Sequence, residues 1–572
     1  MIKTGIFLFL FSAFTLHLQA QQIFSDNKYP LVDFRPPLDI TPPALAGSFG
    51  ELRPNHFHSG IDFRTNQHEG YPVYAIADGY VSRLRVQNSG FGQAVYLTHP
   101  NGFTSVYGHI SRFAPKLAAA VKALQYQKKT FELDEFPTAD LFPVHKGDII
   151  AYSGNRGSSG GPHLHFEIRD TKTENTINPQ LFGIQIPDDI PPVIYSVYVY
   201  KLNKKPFNEY TPKQYFQVTG GGGKFHLTHA GLLPVNGEIG FGIITTDRHN
   251  GNSGINGVYS IELEADGKTI FTSSMERFAF ANSIAVNSHM DYPAFKTSRV
   301  SIQKSFVDPG NPLQLYSNLV NNGRIEFNDQ QVHALKYIVT DAKGNKSTLS
   351  FEVRSEGKTI TTPDQPTGIP FVYNKDNEFS AEGVKVLLPK GSLYNDFNFV
   401  YKVKPKPARG AYSVIHQIHN NLTPLHGGFD LWIKPDASLG NLKDKAVIVS
   451  TSGACQGGIA DNEFIKASPR NFGSFYIAVD TVAPTISPLN IGPGKNMAGI
   501  AKMIFKLHDN LSGIKSFNGY IDGNWVLMEF DTKTATLWHS FDERTPAGRH
   551  ELKLIVDDMK ENSKTYSINF TR

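Results

Sequence analysis

Apolar and polar residues alternate over short stretches through most of the chain, and the sharpest alternation is His163-Leu164-His165-Phe166-Glu167. On a strand, residues two apart share a face, so His163 and His165 project to one surface while Leu164 and Phe166 enter a core. Val73 to Ile76, Tyr80 to Val86, Ala94 to Thr98 and Phe103 to Tyr107 are further alternating or apolar runs. Asp78-Gly79, Gly90-Phe91-Gly92 and Asn101-Gly102 punctuate them as turn signals, and Lys146-Gly147-Asp148 turns into Ile149-Ile150-Ala151-Tyr152. This pattern predicts an antiparallel sheet that holds residues of distant strands in one groove. Glycines at 154, 157, 160 and 161 would keep the groove's rim open to an extended peptide. One stretch has a different period: from Pro115 to Lys129, Leu117, Val121 and Leu124 fall at helical spacing among lysines 116, 122, 128 and 129. An aromatic and acidic run, Phe131 to Phe142, follows it. Two readings of 114–142 stand: an insertion packed on the sheet edge, or a wall or lid of the groove.

After about residue 185 the texture changes. Pro187, Pro191 and Pro192 mark a linker, and short strands begin at Ile194 to Tyr200. A repeat then emerges. His333 to Asp341 (HALKYIVTD) aligns without gaps to His550 to Asp558 (HELKLIVDD), and the match continues through Asn345 and Asn562. Upstream, Ser253-Gly254-Ile255 before Asp266-Gly267 matches Ser512-Gly513-Ile514 before Asp522-Gly523. Each copy opens on a proline-marked strand, Pro192-Val193-Ile194 and Pro484-Thr485-Ile486. The pattern resembles immunoglobulin-like sandwiches of bacterial surface and periplasmic proteins. Between the copies, roughly 360–480 reads as another β-rich unit, with Gly383 to Lys390 and Phe429 to Ile433 as strands.

The 572 residues allow about three to five domains. Aromatic content of 12%, 50 glycines and 35 prolines favour short strands and turns over helical bundles. Cys455 is the only cysteine, so no intramolecular disulfide and no lipid-bearing cysteine near the N-terminus is available. The net charge of +4 is too small to argue from, and no basic run suggests nucleic-acid binding. At the N-terminus, Lys3, the apolar run Gly5 to Leu16 and the small residue Ala20 read as a cleaved export signal. That run is short of the roughly 20 apolar residues that span a bilayer, and no later stretch is long enough.

The candidate chemistry lies in three segments. His58-Ser59-Gly60-Ile61-Asp62 offers a histidine and a carboxylate four apart, on a loop or strand end given Gly60 and Pro54. Tyr107-Gly108-His109 adds a histidine, and His163-Leu164-His165 two more. Three mixed nitrogen and oxygen ligands with an open fourth position describe a catalytic zinc site, leaving two histidines for proton chemistry. Histidines 416, 419 and 426 are scattered and read as turn or surface residues, and Cys455 has no obvious base partner.

These segments resemble the lysostaphin-type (LytM-type) zinc endopeptidases, which cut the peptide part of bacterial peptidoglycan. The resemblance covers roughly residues 43–185. It rests on the H-x-G-x-D box, Tyr74-Ala75-Ile76-Ala77-Asp78-Gly79, Gly90-Phe91-Gly92, Tyr107-Gly108-His109, and Gly154-Asn155-Arg156-Gly157 leading to Gly161-Pro162-His163-Leu164-His165-Phe166-Glu167. It implies that His58, Asp62 and His165 are zinc ligands and that His109 and His163 are catalytic without binding the metal. Zinc there would bring a water's pKa near neutrality and polarise a peptide carbonyl. His163 or His109 would take the water's proton and protonate the leaving amine, with the division between them open. Glu167 would orient a neighbour from the edge of the site.

The expectation is therefore a mainly β protein: a signal peptide at 1–20, an antiparallel-sheet peptidase domain at 21–186, an immunoglobulin-like sandwich at 187–356, a β-rich module at 357–481 and a second such sandwich at 482–572. It would be exported, to the periplasm, envelope or medium, and would hydrolyse stem peptides or cross-links of peptidoglycan. Its sandwiches could bind wall hydrolases or other envelope proteins. The alternative is a non-catalytic activator or scaffold for other wall hydrolases, a class that typically lacks one or more metal ligands.

Overall fold

The computed structural model describes residues 29–572 apart from 32, 230, 252–253, 357–366 and 408, so the proposed export signal lies outside the described residues. Strands dominate. The N-terminal domain is built on an antiparallel sheet of β1 (Leu45–Gly47), β2 (Ile61–Arg64), β3 (Gly79–Val86), β4 (Gln93–Thr98), β5 (Phe103–Gly108), β6 (Leu133–Glu135) and β7 (His163–Asp170). Their order across the sheet is β1-β2-β7-β5-β4-β3-β6. The H-x-G-x-D strand, the double-histidine strand and the strand leading to His109 are thus neighbours, although 107 residues separate His58 from His165. His165 pairs with Asp62 on one side and Gly108 on the other. The predicted parity holds: Leu164 and Phe166 are fully buried in the core with Ile61, Phe63 and Tyr107.

Helix α1 (Pro115–Lys128) starts on a proline, whose missing N–H costs nothing at a first turn, and stops where Lys129 turns left-handed at φ 50°. Leu117 and Val121 enter the domain core, each contributing about 1.5–3 kcal/mol. The acidic tail becomes β6, which pairs with β3 at the far edge of the sheet, beyond β4 and β3 from the histidine strands. The structure thus places 131–142 as an edge cover and not as a groove lid. The helix has a different neighbour on its outer side. Lys122 meets Asp542 at 2.6 Å, Tyr126 stands edge-on to Trp525 (5.3 Å), and Arg544 lies 4.1 Å over the Tyr126 ring. The insertion is a seat for the C-terminal module.

The sheets that follow are separate from the first. Apart from Arg277–Phe278, the strands between Val193 and Ser355 form one hydrogen-bonded sheet around a core of Val197, Phe241, Leu263, Tyr337 and Leu349. The next module faces a sheet containing Val384–Leu388 and Asp430–Ile433 against one containing Ala446–Ser450 and Gly473–Val479. In the last, Lys502–His508 and Thr536–Ser540 face Ile514–Ile521, Arg549–Asp558 and Ser563–Thr571 across Phe505, Leu537 and Leu554. A boundary drawn at 186 cuts through a shared core: Phe278, Val286, Met290 and Leu313 pack into the N-terminal domain, and Thr176 pairs with Phe278. No helix among the described residues is long and apolar enough to cross a membrane.

Candidate metal centre

Five side chains expected from the sequence converge at one end of β2, β5 and β7. His58 Nε2, Asp62 Oδ1 and His165 Nδ1 form a near-equilateral triangle with sides of 3.0, 3.0 and 2.9 Å, and all three residues are buried. His163 Nε2 approaches the same Asp62 oxygen at 3.4 Å. The His109 ring centroid lies 4.8 Å from that of His163 and 5.8 Å from that of His165. Gly60 is dictated by this geometry, since a Cβ there would lie 2.2 Å from the Phe166 carbonyl oxygen. His109 follows β5 in the left-handed region at φ 58°, a backbone that turns its ring into the groove.

What the outer ring nitrogens do fixes what the inner ones offer. His58 Nδ1 donates to the Ser48 carbonyl (2.7 Å), His109 Nδ1 to that of Arg156 (2.7 Å) and His163 Nδ1 to that of Gly161 (2.8 Å). His165 Nε2 donates to Glu167 Oε1 (3.0 Å). These acceptors cannot donate, so each neutral imidazole presents a lone pair inward. Two such lone pairs and a carboxylate oxygen at about 3 Å repel one another unless a cation or proton lies among them. The donor set therefore fits a metal of the zinc class. The charge balance agrees. Burial would push the His165 imidazole down, yet Asp62 and Glu167 outweigh it and lift it to about 9, so the cluster draws in a positive charge, a proton where no metal ion displaces it. Burial likewise opposes the Asp62 carboxylate, but His58, His163 and His165 hold it well below the usual range. Burial and its histidine neighbours push His109 down to about 3, which keeps it neutral.

Three further side chains support the cluster, and one of them, Arg53, carries no signature in the sequence. Arg53 Nη2 reaches the second Asp62 oxygen at 2.9 Å and so aims the first one inward. Phe91 stacks on His165 at 5.0 Å. Glu167 is fully buried behind His165, not at the site's edge, and is held by Ser59 Oγ and by Arg169 at 2.6 Å. Of the four rim glycines, two have an unforeseen purpose. Gly157 packs backbone to backbone against Gly90 and Gly92, and Gly154 against Ser111, where any Cβ would collide; Gly160 and Gly161 are open.

The rim also has a partner from the other end of the chain. Lys533, on the hairpin between Glu529–Asp531 and Thr536–Ser540, donates to the Asn155 carbonyl and to that of Ser159 (3.2 Å). Glu529 pairs with Arg156 at 3.2 Å, and Trp538 lies 4.8 Å under the same guanidinium. The carbonyl that orients His109 belongs to Arg156. A loop rich in glycine is thus held by a module about 375 residues away in sequence.

Residues 56–129 match the family model described as Peptidase family M23, and residues 369–480 match a Zu5-like domain. An uncharacterized metalloprotease of Haemophilus influenzae is 37% identical over 119 residues, covering 21% of this chain and 19% of the relative. The DD-carboxypeptidase/endopeptidase Mpg of Neisseria meningitidis is 31% identical over 131 residues, covering 23% and 24%. Lysostaphin of Staphylococcus simulans is 32% identical over 111 residues, covering 19% and 17%. The chain thus spans about a fifth to a quarter of the length of the first two relatives. The solved catalytic domain of lysostaphin is 24% identical and aligns over 25% of this chain and 92% of its own, with a TM-score of 0.19.

Proposed function

We propose that the N-terminal domain, similar to the lysostaphin-type peptidases of family M23, is a zinc endopeptidase that hydrolyses stem peptides or cross-links of peptidoglycan outside the cytoplasm. The observation that carries this reading is the triangle of His58, Asp62 and His165, whose outer atoms are pinned so that every inner atom is a donor. Peptidase relatives covering the same stretch support the reaction class, and the Neisseria relative, a DD-carboxypeptidase/endopeptidase, supports the substrate. Bound zinc supplies Lewis acidity, bringing a water's pKa near neutrality and polarising a peptide carbonyl.

The chain's own groups do the rest. Asp62 is oriented by Arg53 and His165 by Glu167, so ligand geometry is set before metal or substrate arrives. His109 and His163 each offer Nε2 while Nδ1 is held by a carbonyl; His163 can take the attacking water's proton there without rotating, whereas His109, held neutral, serves as a hydrogen-bond acceptor toward that water. The resulting imidazolium is stabilised by its carbonyl partner and can return the proton to the leaving amine. Phe91 walls the His165 side of the groove against water.

The purified protein should bind about one zinc per chain and release fragments from isolated sacculi, identified by mass spectrometry. Asp62→Ala should lose metal and activity together. His163→Ala should keep the metal and the fold and lose turnover. Full activity of the His163→Ala protein would overturn the assignment.

A further inference from the structure

The two sandwich copies carry the same acidic residues at the same end, far from the histidine site in sequence. In the first, Asp188 precedes the strand Val193–Lys201, Asp247 follows Gly237–Thr246 and Asp341 follows Val332–Thr340. In the second, Asp480 precedes Thr485–Pro488, Asp509 follows Lys502–His508 and Asp558 ends Arg549–Asp558. The tie to the incoming linker is duplicated as well. Asn345 Nδ2 donates to the Asp188 carbonyl (3.3 Å) and Asp341 Oδ2 (2.7 Å), and Asn562 Nδ2 to the Asp480 carbonyl (3.0 Å) and Asp558 Oδ2 (2.7 Å).

Donor atoms of Asp188, Asp247 and His249 lie within 4.8 Å of one another, as do those of Asp480, Asp509 and Asp558. Several of the carboxylate oxygens are without protein partners. The Asp188 side chain is 1% exposed and its Oδ2, 3.9 Å from His249 Nε2, accepts no hydrogen bond. Asp247 is 2% exposed and its Oδ1 is equally unpartnered, as is Asp509 Oδ1 in the second copy. Buried carboxylate oxygens without donors are costly. Burial, together with repulsion from Asp188 and Asp341, pushes the Asp247 carboxyl up to about 8. The lysines that align between copies point elsewhere: Lys343 Nζ to Gln185 Oε1 (3.4 Å) and Lys560 Nζ to the Gly458 carbonyl (2.9 Å).

Oxygen is the donor both copies share. His249 is engaged at Nδ1 by Asn256 (2.7 Å) and at Nε2 by Gln180 (3.3 Å), and it stands beside Asp188 as an orienting group. The second copy forms its cluster from carboxylates alone. A set of carboxylates on turns suits a hard cation of adaptable coordination, which is calcium's chemistry. We propose that each sandwich binds one calcium ion at this end, at the carboxylates of Asp188 and Asp247 in one copy and of Asp480, Asp509 and Asp558 in the other, fixing the linker that enters it.

The test uses the full chain, stripped of metal and reloaded with one equivalent of zinc so that the histidine site is filled. Calorimetric titration with calcium chloride should show two equivalents bound, and one each for Asp247→Asn and Asp509→Asn. The double variant should bind none. Calcium should raise the unfolding temperature by at least ~2 °C, and the rise should vanish in the double variant. Because asparagine removes like-charge crowding, the calcium-free variants should unfold at the same temperature as the parent or higher. Should Asp247→Asn fail to fold, Asp188→Asn carries the same expectation. Absence of binding at roughly 10 mM calcium, above the range of weak extracellular sites, overturns the proposal. So does binding that survives the double substitution, or zinc occupying the first cluster so that calcium cannot displace it.

Discussion

Glu167→Gln changes one buried atom behind His165 and should nonetheless weaken the proposed metal site. Glu167 is fully buried, with Oε1 accepting from Ser59 Oγ and His165 Nε2 and Oε2 accepting from Arg169 Nε (2.7 Å) and Nη2 (2.6 Å). Burial would raise this carboxyl, but Arg169 and His165 hold it down at about 2, so it is an anion throughout the working range. A glutamine keeps the shape but replaces one oxygen with a donor. If its oxygen stays on Arg169, its amide faces His165 Nε2, which must then accept. The proton moves to Nδ1, the nitrogen that faces His58 and Asp62. A protonated Nδ1 has no lone pair to give a metal. Loss of such an outer partner weakens metal binding by roughly 10–100-fold, or about 1.4–2.7 kcal/mol. A second cost falls on the fold: Arg169, with 8% of its side chain exposed, loses its buried counter-charge, and breaking such a pair costs about 3–5 kcal/mol. Zinc affinity by competition with a fluorescent chelator and unfolding of the metal-free protein measure the two separately. Parental zinc affinity in a folded Glu167→Gln protein would show that the tautomer argument is wrong.

Two further outcomes follow from other parts of the molecule. Lys533→Met combined with Glu529→Ala should free the 155–159 loop and speed amide exchange there while zinc affinity stays constant; unchanged exchange would mean that the hairpin merely rests on the loop. His416 and His419 are buried in the third module and both pushed down by burial to about 4, whereas an unfolded histidine titrates near 6.5. The unfolded state then binds more protons between those values. This contribution is complete above pH ~6.5 and is lost as pH falls toward ~4. Amide protection in the strands Ile415–Ile418 and Ala446–Ser450 should decline across that window, less so in His416→Gln, and protection that stays flat would refute the assignment.

The five candidate residues stand in short motifs legible in the sequence, and the fold brings them together. His163 and His165 share a face by alternation alone, and Glu167 falls on the same face by the same rule. Arg53 was invisible: it lies on the short strand Leu52–Arg53, and only the tertiary fold brings its guanidinium to Asp62. The helix at Pro115–Lys128 was readable from its period, but its purpose was not. Lys122 and Tyr126 look like ordinary exposed residues until Asp542 and Trp525 arrive from the other end of the chain. Histidines 416 and 419, read as turn or surface residues, are buried against the aromatic rings of Tyr401, Phe397 and Phe472. The prolines after 186 mark where the chain turns and not where apolar burial ends, since Phe278, Val286 and Met290 pack into the first core.

The same contacts bear on why the N-terminal domain is followed by such a long train of modules. The rim at 154–161 needs glycine for its close backbone approaches, and glycine supplies no side chains with which to hold a conformation. Its order must come from outside. The Lys533 hairpin supplies it by grasping two carbonyls and the Arg156 side chain, whose own carbonyl sets His109. The hairpin can do so only if the last sandwich is held at a fixed angle. That angle is set by the α1 seat on one side and by the linker at Asp480 on the other. Whatever stiffens that linker therefore acts on His109 through one continuous set of contacts.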